Sequence, residues 1–237
     1  MSSNVKKGVP RHIGIIIDGN RRWAKKRGLE PWRGHVAGKE RLREVLDWCR
    51  EFGVREVTIY TFSVQNFSRP KTELSQLFGM LVDGVKEFLK DPDVRKYRIR
   101  VRAIGRIHLF PKYVQLAIAK VVDATKTYDR YFVNLAVGYG GREEITDAVR
   151  SIARDIESGR LRARDVSEET IEQHLYLSSE PDLIIRTSGE QRTSNFLPWQ
   201  SSYSEWYFSP KLFPDFSKTD LVAALQDYAA RDRRFGR

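Results

Sequence analysis

The chain has 237 residues, and 41% of them are hydrophobic, including 12 Phe, 10 Tyr and 5 Trp, which is enough for a sizeable core. Because no Pro/Gly/Ser-rich linker divides it, we expect a single domain over residues 1–237. The single cysteine excludes an intrachain disulfide framework and a cysteine-based metal site. A net charge of +11 favours an anionic ligand, such as nucleic acid, acidic lipid or a phosphorylated small molecule.

Apolar segments are short throughout the chain. None approaches the roughly 18 residues that indicate a membrane span. The apolar run at residues 13–17 is too short for the hydrophobic part of a signal peptide. We therefore expect a cytoplasmic protein.

Strand-like and helix-like segments alternate along the chain. The predicted strands cover residues 12–18, 56–62, 98–105, 131–138, 182–187 and 205–209. The predicted helices cover residues 34–52, 72–90, 111–126, 142–158, 167–176 and 218–231. This alternation predicts an α/β fold with a mainly parallel six-stranded sheet flanked by helices.

Polar, glycine-bearing and basic segments follow four of the predicted strands. Residues 18–20 follow the first strand, residues 63–69 the second, Arg106 the third and residues 186–190 the fifth. Ligands of open parallel sheets bind beyond the carboxyl ends of the strands. The sequence therefore predicts a binding site at this edge of the sheet.

The first of these segments combines a carboxylate, a glycine and two arginines. Asp18 can hold a hard cation, and Gly19 permits close approach of the backbone. Arg21 and Arg22 can bind phosphate oxygens. The alternative is an Asp-Gly turn in which Asp18 caps a helix, followed by a solvated basic helix face.

Two later segments, residues 63–70 and 186–195, mix hydroxyls, amides and arginines, which are suitable donors for a diphosphate. Either one can also be an ordinary polar loop. Walker A, dinucleotide-binding, zinc-protease and nucleophile-elbow motifs are absent. The four histidines show no metal-ligand spacing, and the paired Asp-rich motifs of trans-prenyltransferases are missing.

Taken together, these segments resemble the undecaprenyl diphosphate synthase, or cis-prenyltransferase, family over nearly the full chain. The matching residues are Asp18-Gly19-Asn20, Arg22-Trp23-Ala24, Gly34-His35, Ala37-Gly38, Phe62-Ser63, Asn66, Arg69-Pro70, Asn134, Tyr139-Gly140-Gly141-Arg142, Asp182 to Glu190, Ser194 to Gln200, Tyr203, Glu205, Tyr207-Phe208 and Arg234-Phe235-Gly236.

The resemblance implies an enzyme that condenses isopentenyl diphosphate onto an allylic prenyl diphosphate, either farnesyl or geranylgeranyl diphosphate. Its product would be a long-chain cis-polyprenyl diphosphate, the precursor of a lipid glycosyl carrier. The resemblance also implies Mg²⁺ as cofactor, a homodimer, and an apolar tunnel, for which we expect residues 72–90 and 111–126 to form walls. Such a lipid product would bring the enzyme to the inner face of the membrane.

Site residues follow from the resemblance position by position. Asp18 and Asn66 match catalytic positions, and Asp18 and Glu205 match Mg²⁺ ligands. We expect Asn66, which is a poor base, to orient a phosphate oxygen or water that takes the proton. The expected substrate-binding residues are Gly19, Asn20, Arg21, Arg22, Trp23, Arg33, His35, Ser63, Val64, Gln65, Phe67, Arg69, Arg186, Arg192, Thr193, Ser194, Arg234 and Gly236. The last two are expected to reach across the dimer interface into the partner's site.

Four positions depart from the bacterial pattern. Arg21 stands where many bacterial members have Gly, Phe67 where they have Trp, and Gln191 where they have a metal-proximal His. Pro31 replaces a substrate-contacting Arg, for which the nearby Arg33 can substitute. These variants resemble archaeal or eukaryotic members.

Two other functions remain open at this point. The net charge, with aromatic residues near basic ones, is also typical of nucleic-acid-binding proteins, although we expect no nucleic acid partner. A non-catalytic subunit of a heteromeric prenyltransferase is the second alternative. Against it stands the joint presence of Asp18, Asn66, Arg69 and Glu205.

Overall fold

A computed structural model describes residues 8–231. Its six strands are β1 (His12–Ile16), β2 (Glu56–Ser63), β3 (Ile99–Ile104), β4 (Tyr131–Tyr139), β5 (Leu183–Arg186) and β6 (Glu205–Phe208). They form one sheet in the order β3-β4-β2-β1-β5-β6, and every neighbouring pair is parallel. The predicted α/β fold with a six-stranded parallel sheet is confirmed.

Helices connect the strands. They are α1 (Asn20–Lys26), α2 (Pro31–Glu51), α3 (Lys71–Lys90), α4 (Pro92–Lys96), α5 (Lys112–Thr125), α6 (Gly141–Glu157), α7 (Glu168–His174) and α8 (Lys218–Ala230). All six predicted helices are present, and α2 begins three residues before its predicted start because Pro31 fits the first helical position. The short helices α1 and α4 are additional.

The sheet is buried on both faces, as expected for parallel strands covered by helices. Alternation along β1 sends successive side chains to opposite faces. Ile13 and Ile15 pack in a cluster with Val45 of α2 and Leu221 of α8. Ile16 packs in a second cluster with the buried aromatic rings of Tyr60, Tyr139 and Phe196.

Strand order creates a crevice beside β1. The chain runs from β1 to β2 on one side and later returns to place β5 on the other side. Ligand sites in such sheets lie where the strand order reverses, beyond the carboxyl ends of the strands. The ends of β1 and β5 therefore mark the expected site, and Asp18 and Arg186 lie there.

Two glycines bring α1 and α2 unusually close together. A Cβ atom on Gly34 would lie 2.0 Å from the carbonyl oxygen of Asn20, and one on Gly38 would lie 2.4 Å from Asn20 Oδ1. Position 34 therefore requires glycine because the clash is with backbone, whereas a Cβ at position 38 would displace the side chain of Asn20. This contact explains the Gly34…Gly38 pair in the sequence and holds the loop after β1 in place.

Candidate functional site

Asp18 lies just beyond the end of β1 and forms an ion pair with Arg186, which ends β5. Its Oδ2 accepts a hydrogen bond from Arg186 Nη2 at 2.9 Å, and its Oδ1 lies 3.4 Å from Arg22 Nη2. Burial raises the pKa of Asp18, but the hydrogen bond and charge of Arg186 outweigh it, so the pKa falls below its usual value of 3.8. Asp18 is therefore an anion at neutral pH.

Arg186 organises the loop that follows β5. Its side chain, only 4% exposed, donates to Ser194 Oγ at 2.7 Å and to the carbonyl oxygen of Arg192 as well as to Asp18. Its Nε is buried and has no hydrogen-bond partner among the described residues. Asp18, Arg186 and Ser194 therefore lie together at this edge of the sheet, whereas Arg192 contributes its backbone carbonyl oxygen to the contact.

The loop between β1 and α1 turns sharply at Gly19. Gly19 has φ of 108°, which favours glycine, and a Cβ there would lie 2.9 Å from Leu212. The turn directs Arg22 toward the loop after β5, where it donates to Ser188 Oγ at 2.5 Å and to Glu190 at 2.9 Å. Arg22 thus lies beside both Asp18 and the β5 loop.

Trp23 and Arg27 face a different neighbour. Trp23 Nε1 donates to Asp215 at 2.7 Å, and the guanidinium of Arg27 stacks over the indole at 4.1 Å while pairing with Asp215 at 3.1 Å. The structure places Trp23 on the same helix as Arg22 but engages its ring nitrogen with Asp215.

The loop after β2 is a short 3-10 helix, Val64–Ser68, that holds Asn66 in one orientation. Asn66 Oδ1 accepts from the backbone N–H of Ser63 at 3.0 Å. Because the amide oxygen is engaged, the NH₂ group is the part of the side chain that can donate to a ligand. This arrangement suits an orienting role and not that of a proton acceptor.

A carboxylate that the sequence analysis missed, Glu73, lies among three predicted substrate-binding residues. Its Oε1 is 3.2 Å from Arg69 Nη1, 3.6 Å from Arg21 Nε and 3.9 Å from His35 Nε2. Its position four residues after Arg69 is typical of an ordinary helix ion pair, so the sequence gives no signal of the larger cluster. Glu73, on α3, therefore links α1 and the loop after β2 to α2.

His35 is neutral in this environment. Burial, followed by the charges of Arg69 and Arg21, lowers the pKa of His35 to about 4. Its Nε2 is buried and has no hydrogen-bond partner within the described residues. A neutral imidazole with an unused nitrogen beside two arginines is suited to hydrogen-bond a phosphate group.

A second missed carboxylate, Glu144, supports the loop from the interior. It is buried and accepts hydrogen bonds from Tyr139 Oη, Gln200 Nε2 and the backbone N–H groups of Tyr176 and Leu177. Burial raises its pKa, although these four hydrogen bonds oppose the rise. Through Gln200, Glu144 secures the end of the segment that carries Ser194.

The same segment is also fastened to the start of α6. The backbone carbonyl oxygen of Asn195 accepts a hydrogen bond from Gly141 N at 2.8 Å, and the side-chain Oδ1 of Asn195 accepts one from Arg142 N at 2.9 Å. A Cβ on Gly141 would lie 1.9 Å from Pro198. The motifs Gly140-Gly141-Arg142 and Ser194 to Pro198 therefore contact each other, and together they hold Ser194 beside Arg186.

Several predicted substrate-binding residues lie at the rim. Arg33 is exposed and its guanidinium stacks 5.0 Å from the ring of Trp32, and Gln65 Nε2 lies 3.4 Å from Glu143. Arg192 is exposed and pairs with Glu190 at 2.5 Å. The remaining predicted positions lie elsewhere. Asn20 contacts α2, and Val64 begins the 3-10 helix after β2. The ring of Phe67 packs against Phe62 and Phe110, and Thr193 directly precedes Ser194. Arg234 and Gly236 lie outside the described residues.

Glu205 does not join Asp18 within one chain. It begins β6 opposite Leu183, whereas Arg186 at the carboxyl end of β5 is level with Phe208. Three strand residues and two strand spacings therefore separate Glu205 from the Asp18 edge by more than roughly 10 Å. Glu205 instead pairs with Arg231 at 2.5 Å.

The residues around Asp18 fit a metal that is shared with a ligand. Within residues 8–231, no group of three or more His, Cys, Asp or Glu side chains is arranged to hold an ion. Mg²⁺ usually takes one or two carboxylates and completes its octahedron with phosphate oxygens and water. Ionised Asp18 would supply the one carboxylate that such a Mg²⁺ site needs from the protein.

An apolar cavity of about 370 Å³ opens beside the site and runs beneath α2 and α3. Near Asp18 it is lined by Ile17, Asn20 and His35, and at its far end by Arg50 and Val94. The stretch of α2 from His35 to Arg50 spans roughly 22 Å. The apolar lining includes Leu42, Leu46, Ile59, Leu77, Leu81, Val85, Phe88, Val101, Val121, Leu135 and Val137.

Ion pairs bridge α2 to the helices opposite it along this cavity. Lys39 pairs with Glu87 at 2.7 Å, Arg43 with Asp91 at 2.6 Å, and Arg50 with Asp93 at 3.0 Å. The expected wall at residues 72–90 coincides with α3, whereas among the described residues of α5 only Val121 lines the cavity. The opposite wall comes from α2, which the sequence analysis did not name.

Comparison with known proteins gives consistent results. A family model described as putative undecaprenyl diphosphate synthase matches residues 16–236. The chain is 48% identical over 240 residues to tritrans,polycis-undecaprenyl-diphosphate synthase (geranylgeranyl-diphosphate specific) of Methanopyrus kandleri, covering 100% of this chain and 89% of that protein. It is 50% identical over 230 residues to the protein of the same name from Thermoplasma acidophilum, covering 96% and 89%.

Two solved structures share the fold. Lavandulyl diphosphate synthase from Lavandula x intermedia, in complex with dimethylallyl diphosphate, superposes with a TM-score of 0.90 at 41% identity, covering 97% of this chain and 99% of that one. A probable undecaprenyl diphosphate synthase from Campylobacter jejuni gives a TM-score of 0.79 at 32% identity, covering 96% and 99%. Within residues 8–231, no helix is long and apolar enough to cross a membrane.

Proposed function

Because the chain belongs to the undecaprenyl diphosphate synthase family, and is therefore a prenyltransferase, we propose that it lengthens geranylgeranyl diphosphate with isopentenyl diphosphate. The choice of primer follows the geranylgeranyl specificity stated in the names of the relatives from Methanopyrus kandleri and Thermoplasma acidophilum. The observation that carries the proposal is that Asp18, which pairs with Arg186, lies in the chain between Ile17 and Asn20, and these two residues line the near end of an apolar cavity. A diphosphate and a prenyl chain would occupy these two neighbouring regions.

Cationic groups near Asp18 would bind the primer diphosphate and stabilise the charge that it gains on leaving. Arg22 on α1 borders Asp18 directly, and Arg69 in the loop after β2 lies close enough for its charge to interact with that of Asp18. Arg21, also on α1, shares Glu73 with Arg69. Asp18 would hold Mg²⁺, which when bound neutralises part of the diphosphate charge. The pKa of Asp18, held below its usual value, keeps this carboxylate ionised at neutral pH.

The second diphosphate would bind on the loop after β5. Ser194 Oγ lies next to the Arg186 guanidinium, and Arg192 lies exposed at the rim. Substrates held in register this way can avoid about 7–11 kcal/mol of the barrier of a bimolecular encounter.

Condensation then breaks the allylic carbon–oxygen bond and forms a carbon–carbon bond to the isopentenyl double bond. The electron pair of the broken bond leaves with the diphosphate, and a proton is lost from the isopentenyl unit. Asn66, whose oxygen is bound to Ser63 N–H, would use its NH₂ group to orient a phosphate oxygen or a water that accepts this proton.

The growing chain would extend into the cavity under α2 and α3. A site that excludes water suits a hydrocarbon product, and side chains such as Leu77, Leu81 and Val85 present apolar surface along its length. The side chains at the far end would limit the length of the product.

A nucleic-acid groove is less consistent with this arrangement. Arg22 and Arg186 converge on one carboxylate, Asp18, close to a cavity whose lining is mainly apolar. A polynucleotide site instead needs basic residues spread along a groove, with aromatic side chains on which bases stack.

We also propose a homodimer in which each site includes residues from both chains. Arg231 Nη2 donates to Trp206 O at 3.0 Å and Nη1 pairs with Glu205, so the chain leaves the described region beside Glu205, far from its own Asp18. Arg234, Gly236 and Glu205 would therefore reach a diphosphate site only in the partner.

Mixing two inactive variants tests the shared site. Asp18→Ala chains and Arg234→Ala chains, allowed to exchange, give dimers of which half are mixed, and each mixed dimer has one intact site. Activity should return to roughly a quarter of the wild-type value. If mixed dimers form and the mixture stays inactive, Arg234 acts within its own chain.

The primer assignment is tested by incubation with radiolabelled isopentenyl diphosphate, Mg²⁺ and one primer at a time: dimethylallyl, farnesyl or geranylgeranyl diphosphate. Thin-layer chromatography should show extension most efficient with geranylgeranyl diphosphate. Preference for dimethylallyl diphosphate would contradict the primer proposal while leaving the prenyltransferase activity intact.

A further inference from the structure

An exposed apolar and basic surface lies at the start of α5, away from Asp18. Leu109, Tyr113 and Leu116 are 45%, 52% and 58% exposed. Lys112 and Lys120 are exposed on the same helix. We call these five residues the α5 patch.

The α5 patch rests on a rigid base. Phe110, Val114 and Ile118 are at most 3% exposed and pack in one core cluster. Gln115 Nε2 donates to the carbonyl oxygens of Phe110 at 2.7 Å and His108 at 3.2 Å, which ties the preceding turn to the helix. The three apolar side chains of the patch are therefore held outward by the fold and not left out by a loose end.

Positive charge extends from the α5 patch to the neighbouring cleft. His108, adjacent to Leu109, lines an open cleft of about 430 Å³ together with Arg106, Asp147, Arg150 and Arg154. Arg106 and Arg150 share Asp147, at 2.9 Å and 3.3 Å. Among the described residues, Lys112, Lys120 and Arg154 form no ion pair, and on α5 the nearby Asp123 is paired with Lys126 at 2.7 Å.

This combination suits the surface of an anionic bilayer. Leucines and a tyrosine can insert at the level of the headgroups, while lysine stems lie along the surface and place their charges on lipid phosphates. A polynucleotide would not gain from three protruding apolar side chains. An acidic protein partner would gain from them, but the prenyl chains handled by the proposed function reside in membranes, and on this ground we choose lipid.

We propose that the α5 patch docks the enzyme onto anionic lipid bilayers, with Leu109, Tyr113 and Leu116 inserted and Lys112 and Lys120 bound to headgroup phosphates. The surface is separate from the residues assigned to catalysis, so docking would concentrate the enzyme where amphipathic primer and product accumulate without altering the chemical step.

Vesicle flotation tests the proposal with the full chain. Wild type should float with vesicles of phosphatidylcholine and phosphatidylglycerol but not with phosphatidylcholine alone. The triple variant Leu109→Ser, Tyr113→Ser, Leu116→Ser should lose this binding. Val149→Ser is the matched control, because Val149 is 55% exposed on α6 and lies outside the patch, and it should bind like wild type.

The lysines are tested separately. Lys112→Gln with Lys120→Gln should weaken partitioning into anionic vesicles roughly 25-fold, at about fivefold for each charge. Raising the salt from about 0.1 M to 1 M, which shortens the Debye length from about 10 Å to 3 Å, should reduce wild-type binding in the same direction.

Any one of the following results would overturn the proposal. Wild type is not recovered with anionic vesicles, the triple variant floats as well as wild type, or the triple variant loses dimers in light scattering, which would make the α5 patch a contact between copies. Elongation of a short primer in detergent separates docking from the proposed function. The triple variant should retain this activity, and its loss would also count against a docking role.

Discussion

Replacing Asp18 by alanine tests both the chemistry and the stability of the site. The substitution removes a carboxylate from Arg186, whose side chain is only 4% exposed. Removal of one partner from a fully buried ion pair costs about 3–5 kcal/mol. Because Asp18 itself is 30% exposed, solvent and the remaining acceptors of Arg186 reduce this cost, and we expect a loss of about 2 kcal/mol.

For a chain of this size, about 2 kcal/mol corresponds to a fall in Tm of roughly 4–8 °C. Elongation should fall by roughly 100- to 1,000-fold, as is typical for the loss of one preorganised electrostatic group. Asp18→Asn, which keeps an oxygen for Arg186, should be more stable than Asp18→Ala and equally inactive. Asp129→Ala is the control, because it breaks an exposed pair with Arg98 and should change neither property.

Thermal unfolding followed by circular dichroism, and incorporation of radiolabelled isopentenyl diphosphate, measure the two effects. An Asp18→Ala protein with wild-type Tm would refute the structural role of the Asp18–Arg186 pair. An active Asp18→Ala protein would refute its catalytic role. The pKa of Asp18 lies below its usual 3.8, so its contribution to stability is complete above that pH and is lost as the pH falls through the lower folded value.

Four further outcomes are expected. Leu81 lines the cavity, so Leu81→Trp should shorten the product seen by chromatography. Asp83→Trp, on the exposed side of α3, should leave the product length unchanged. If neither variant changes the product length, the growing chain lies elsewhere. The pKa of His35 is about 4 in the folded protein and about 6.5 in the unfolded chain, so the unfolded chain binds a proton first and the free energy of unfolding falls as the pH drops from about 6.5 to 4. His35→Gln should reduce this dependence of the free energy of unfolding on pH, as measured by urea unfolding. Glu73→Gln removes a negative charge beside Arg21 and Arg69, so inorganic diphosphate should bind more tightly in calorimetry. Weaker binding would show instead that the Glu73 carboxylate is needed to position these two arginines. Chelation should stop turnover and added Mg²⁺ restore it, and full activity in excess chelator would contradict the metal assignment.

The gathering of Asp18, Ser63 and Arg186 was predictable because parallel topology is strongly constrained. Alternating elements predict parallel strands, and parallel strands place all their carboxyl ends at one edge. The same rule also predicts that Glu205 lies away from Asp18. It is the first residue of its predicted strand, so it belongs at the edge opposite Asp18, as the structure shows.

Other features depend on contacts that sequence spacing does not specify. Glu73 meets Arg21 and His35 only after α1, α2 and α3 have packed together. Glu144 is buried by the segment that includes Tyr176 and Gln200, far from it in sequence. Helix α4 did carry a local signal, since Asp91 caps it and Pro92 begins it.

The stereochemistry of the product tests the central claim most directly. After incubation with geranylgeranyl diphosphate and ¹³C-labelled isopentenyl diphosphate, carbon NMR of the purified product distinguishes cis from trans double bonds in the added units. A cis-prenyltransferase that uses the Asp18 site should give only cis double bonds in those units and no product when Asp18 is replaced. Trans double bonds, or extension that does not require Asp18, would contradict the account.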